Sequence, residues 1–149
     1  MEAQDLRPTL MNNKDTKDGI IIKVAGPVVD VRFSDNPPFI HESLEIGLPG
    51  NKILILEVAF SIGDNEVKAL AMGSTDGLYR GMKVKRTNSP IKVPVGLPTL
   101  GRIFNVLGQV IDGKIFNEKH KDLTLEPIHR KAPFLTEQET RPHILETGL

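Results

Sequence analysis

The chain contains no cysteine, no tryptophan and a single tyrosine. Without thiols there is no disulfide framework, no thiolate metal site and no Cys–His nucleophile pair. Aromatic residues make up only 5% of the chain, and lysine plus arginine equals aspartate plus glutamate at 19 each. A neutral chain with few rings lacks both the basic face and the stacking platforms of a nucleic-acid binder. It has no electrostatic pull towards anionic lipid either. No apolar run approaches the roughly 20 residues of a membrane span, so direct membrane insertion is not expected. Residues 1–18 carry Glu2, Asp5, Asp15 and Asp18 and no apolar centre. That is unlike a secretory signal or an acid-poor transit peptide, and a disordered polar tail on a cytosol-facing protein is expected there.

The common catalytic patterns are missing too. A phosphate cradle needs G-x-x-x-x-G-K-[ST]. Gly96 and Gly101 have the first spacing, but Arg102 and Ile103 stand where the lysine and hydroxyl belong. No G-x-S-x-G elbow occurs. The four histidines, His41, His120, His129 and His143, show no metal-ligand spacing and read as surface or loop residues. Glu42 with Glu45, and Glu137 with Glu139, read as solvated acid pairs. No catalytic, cofactor-binding or metal-binding residue is therefore assigned. Arg102 reads as an arginine on a helix surface covering apolar area with its stem. The competing reading is contact with an acidic partner at a domain or subunit boundary.

What is present is a series of short apolar runs with turn residues between them. Ile20, Ile21, Ile22 and Val24 form the first, and Gly26-Pro27 ends it. Val29, Val31 and Phe33 alternate with Asp30 and Arg32, the period of a half-buried strand, with Asp30 facing outwards and pairing with a neighbour of Arg32 across the sheet. Leu44, Ile46 and Leu48 form a third run. The stretch 53–60, broken only by Glu57, has the length of a buried strand rather than a helix. Gly63-Asp64-Asn65 reads as a hairpin turn, Val67 to Ala71 alternates again, and Met82 to Lys85 gives a sixth strand. Six strands at this spacing predict a mainly β fold with a small closed barrel, which also removes free edges.

Past Pro90 the texture changes. PVGLPTLGRIFNVLG (94–108) is dense in glycine and proline, and Leu100, Ile103, Phe104 and Leu107 follow helical spacing. A short amphipathic helix is expected there, with Thr99 as N-cap and Gly108 as C-cap. Residues 117–121 read as a charged loop, and 127–133 as an extended segment.

GIIIKVAGPVVDVRF, STDGLYRG, PVGLPTLGRIFNVLG, PIHRKAP and the terminal LETG together resemble the N-terminal part of the catalytic β subunit of F-type ATP synthases. The resemblance spans residues 19–149, and PPFIHESLEIG and ILETGL lean towards the alternate class of bacterial enzymes. It implies a six-stranded barrel over 19–88, after the disordered tail that composition suggests over 1–18. Residues 89–149 would be a linker and the truncated start of an α/β nucleotide-binding domain. In that family the barrels of alternating α and β subunits form the crown of a hexamer, around a central stalk subunit. The complete subunit makes ATP from ADP and phosphate, with Mg-ATP or Mg-ADP bound, on the cytoplasmic face of a bacterial inner membrane or in an organelle-encoded equivalent. Its P-loop and catalytic residues lie past the LETG, so the chain is expected to be an N-terminal fragment that is not catalytic alone and binds no cofactor itself. The alternative is a stand-alone barrel module acting in subunit assembly.

Overall fold

Alternation of apolar and polar residues, interrupted by residues that tolerate positive φ, builds the first half of the molecule. The computed structural model describes residues 18–113, 124–142 and 144. The expected tail up to residue 17, the loop 117–121, His120 and His143 lie outside the described residues.

Six strands follow in order: β1 (Gly19–Ala25), β2 (Val28–Arg32), β3 (Glu42–Leu48), β4 (Lys52–Gly63), β5 (Glu66–Ala71) and β6 (Lys83–Pro90). They close into an antiparallel barrel in the order β1-β2-β5-β4-β3-β6, with β6 returning to β1 through Gly19↔Val84 and Ile20↔Lys83. The fold class and the six barrel strands are therefore as the sequence predicts. The β4–β5 hairpin turns through Asp64 (φ 49°) and Asn65 (φ 60°). Two central residues at positive φ match the right-handed twist of the flanking strands.

Every second side chain points into the barrel. Ile21, Val31, Leu44, Ile46, Leu56 and Val67 are completely buried there. Each contributes about 1.5–3 kcal/mol relative to exposure. Gly19 starts β1 because the Phe33 ring and Val31 Cγ1 fill its place. A Cβ on Gly19 would sit 2.7 Å from both.

The stretch 53–60 is not a strand buried on both faces. Leu54, Leu56 and Val58 enter the core, while Ile53 and Phe60 are 61% and 52% exposed. A single-layer barrel has one interior, so an unbroken apolar run leaves half of its side chains outside.

After β6 the chain forms β7 (Lys92–Val95), which pairs antiparallel with β8 (Thr124–Pro127) from Lys92↔Pro127 to Val95↔Thr124. The Ile128 N–H donates to the Ile91 carbonyl at 3.0 Å, continuing this ladder back towards the barrel. The expected extended segment at 127–133 thus begins as the end of a strand.

The expected helix over 100–107 is absent. Leu97–Thr99 makes one 3-10 turn, and the chain then folds back with a Phe104↔Val110 bridge. Gly101 (φ 69°) and Gly108 (φ 74°) adopt left-handed conformations that break a right-handed helix. Asn105 Oδ1 accepts the N–H groups of Leu107 (3.0 Å) and Gln109 (2.9 Å), which replaces helical hydrogen bonds with a side-chain turn. The Thr99 hydroxyl donates to the Gly96 carbonyl at 2.7 Å instead of capping a helix. Leu100 and Ile103, expected on an apolar helix face, are 72% and 60% exposed.

Candidate functional site

Several charges of the barrel form cross-strand pairs, and they refine the sequence reading. Asp30 is only 8% exposed and accepts from Lys68 Nζ at 2.9 and 3.2 Å. Antiparallel register places it directly opposite Lys68 on β5, with Arg32 opposite Glu66. Asp30 thus pairs across the sheet from the outer face, as expected, and Lys68 covers it more fully than an open strand position would be. Glu42 is fully buried, and Arg86 of β6 grips it through Nε (2.9 Å) and Nη2 (2.8 Å). The backbone N–H groups of Phe39 and Asn88 also donate to it. Glu42 and Glu45 lie on a strand, and only Glu45 is partly open to solvent, near Lys85 at 3.7 Å. Among the described residues no buried side-chain nitrogen or oxygen lacks a partner.

Arg102 lies on a loop, not on a helix surface. It donates to Asp112 through Nε (2.6 Å) and Nη2 (3.1 Å), and both side chains are largely covered. Its acidic partner is therefore ten residues away in the same chain. The hydrogen bond to Asp112, reinforced by the opposite charge, raises the Arg102 pKa above the ordinary arginine value. The pair closes the loop whose bridge is Phe104↔Val110 and offers no free cation to a phosphate. Glu137 accepts the Phe134 N–H at 3.0 Å, and Glu139 is exposed.

Two histidines read as separate surface residues come together. His41 sits in the turn before β3 with φ 71°, and its N–H donates to the Val58 carbonyl at 2.8 Å. That left-handed conformation and backbone anchor point the ring along β4. His41 Nδ1 lies 3.0 Å from Glu57 Oε1. His129, just after β8, places Nε2 against the same oxygen. The two rings stack with centroids 3.8 Å apart and planes 28° apart. The Glu57 side chain is 13% exposed, while the two histidine side chains are 48% and 46% exposed. This cluster escapes a search by spacing because its members are 16 and 72 residues apart. The available signal was Glu57, the one charge interrupting the apolar run of β4.

Large apolar side chains also lie on the outer surface of the barrel. Ile20, Ile53, Phe60, Ile62 and Leu70 are each 43–61% exposed. Beyond Val58 the β4–β5 ladder shifts register, and the rest of β4 is exposed on both faces. Among the described residues no helix is long and apolar enough to cross a membrane.

Residues 21–88, somewhat less than half of the chain, match the family model described as ATP synthase alpha/beta family, beta-barrel domain. The matched segment runs from β1 into β6 and so coincides with the closed barrel. The barrel is thus of the kind found as the N-terminal domain in that family.

Proposed function

We propose that this chain contributes a barrel of the catalytic β type to the crown of an alternating α/β hexamer in a rotary ATP synthase. The observation that carries this reading is the closed six-stranded barrel matched by the family model, with large apolar side chains left on its outside. An outward apolar face on a domain this small marks a surface that another protein covers. The β rather than α assignment rests on the resemblance carried by STDGLYRG and PVGLPTLGRIFNVLG.

In this reading the barrel positions, and the chemistry happens elsewhere. The 149 residues contain no G-x-x-x-x-G-K-[ST]. The one arginine in the glycine-rich stretch is held by Asp112. Binding of Mg-ATP or Mg-ADP, contact with a central stalk subunit and ATP formation belong to the complete subunit. So does attachment to the cytoplasmic face of an energy-coupling membrane. The lean of PPFIHESLEIG and ILETGL supports reading that subunit as one of the alternate bacterial class.

The test is gel filtration of the chain mixed with an α-type subunit from the same source. Co-elution is expected, and separate elution would count against the crown role. In equilibrium dialysis with Mg-ATP the chain alone should retain no nucleotide. Micromolar retention would show a nucleotide site in these residues and overturn the purely architectural reading.

A further inference from the structure

The cluster of His41, Glu57 and His129 does more than join two parts of the chain. We propose that it is a binding site for a divalent transition-metal ion of the zinc type, distinct from any nucleotide chemistry of the complete subunit. Each residue offers one ligand atom, and the three atoms lie within 4.8 Å of one another. Two imidazole nitrogens and one carboxylate oxygen form a donor set that suits zinc and excludes magnesium or calcium, which prefer oxygen throughout. Zinc bonds of about 2.0–2.2 Å in a tetrahedron put neighbouring ligand atoms roughly 3.3 Å apart. The 3.0 Å between His41 Nδ1 and Glu57 Oε1 is already close to that span. The two rings, stacked at 28°, would have to tilt apart so that both nitrogens face one ion, which their half-exposed positions allow.

The backbone prepares the arrangement. Glu57 is fixed in the middle of β4, paired with Ser43 on one side and Leu70 on the other. His41 is anchored by its own N–H on Val58 and held at positive φ, a conformation that costs energy for a residue with a side chain. His129 follows directly on the Ile128–Ile91 hydrogen bond that extends the β7–β8 ladder. The exposed sides of both rings leave the fourth position open to water or to a donor from a neighbouring subunit. A bound ion would tie the segment after β8 to the barrel wall through two protein elements far apart in sequence. It would lower the freedom of that segment without touching the barrel core.

The experiment is equilibrium dialysis of the full chain, stripped with EDTA, against zinc chloride. One zinc per chain with a micromolar dissociation constant is expected. His41→Ala and His129→Ala should each weaken binding at least tenfold, and Glu57→Gln should weaken it severalfold. His120→Ala and His143→Ala should leave it unchanged. X-ray absorption on the zinc-loaded wild-type chain should show two imidazole ligands and needs no variant to fold. Absence of zinc binding would overturn the proposal. So would undiminished binding in the His41→Ala/His129→Ala variant, or fewer than two imidazoles around the ion.

Discussion

The Glu42–Arg86 pair shows how strongly one residue depends on another in a small barrel. Glu42 is fully buried and Arg86 almost so, and their two parallel hydrogen bonds leave no charge uncompensated. Removing one partner leaves the other buried and unpaired, which typically costs about 3–5 kcal/mol. Arg86→Met should therefore lower the urea midpoint severely, while Glu42→Met combined with Arg86→Met should recover much of the loss. A single variant that costs less than about 1 kcal/mol would mean that water reaches Glu42, and a double variant as unstable as the single would place the energy elsewhere. None of this was visible in sequence. Glu42 lies 44 residues from Arg86, and its neighbour Glu45 suggested a pair of solvated acids. For Asp30 the pattern indicates an outward, cross-strand pair, but only the register names Lys68 as the partner. His41, Glu57 and His129 extend the point: cross-strand chemistry is written in pairing, and pairing follows from the fold.

At the scale of elements, the barrel strands were legible because each is a short period-two run bounded by residues suited to turns. The segment 94–108 was not, because four apolar residues at helical spacing also suit a loop whose carbonyls and N–H groups are satisfied locally. Spacing alone does not register the cost of Gly101 and Gly108, nor the two N–H groups captured by Asn105. The role of Gly108 can be tested directly. It sits at φ 74°, and a Cβ there would lie 2.6 Å from Pro94 Cδ and 3.1 Å from Val93 Cα. The turn is thus pressed against β7, and no side chain fits between them. Gly108→Val should incur the left-handed penalty of about 1–2 kcal/mol and also force the turn off the strand. Amide exchange should speed up at Val93 and Val95 and at Glu126 opposite Val93, while Leu44, Leu56 and Val67 in the barrel stay protected. Uniform loss of protection in the barrel would show that the two-stranded sheet and the barrel unfold as one unit.

For the whole molecule, the division between inside and outside decides what the barrel is for. The inner face accounts for half of each apolar run, and that half suffices to close six strands around a continuous core. The other half, including Ile53, Phe60 and Leu70, adds nothing to that core and is costly to keep in water. A stand-alone barrel would gain solubility by replacing these residues with polar ones, as edge and surface positions usually are. Their retention on β4 and β5 is the physical reason for reading the outer wall as an assembly surface. Ile53→Glu combined with Phe60→Glu separates the two roles. Neither side chain is in the core, so the thermal midpoint of the isolated chain should move little, in keeping with surface changes of about ±0.5 kcal/mol. Co-elution with the α-type subunit should fall sharply, because two charges would have to be desolvated without partners at the contact. If the doubly charged chain still co-elutes like the wild type, assembly uses another face, with Ile20 on β1 the next to substitute. If it unfolds instead, these side chains support the barrel itself, and their exposure has a structural explanation rather than one in assembly.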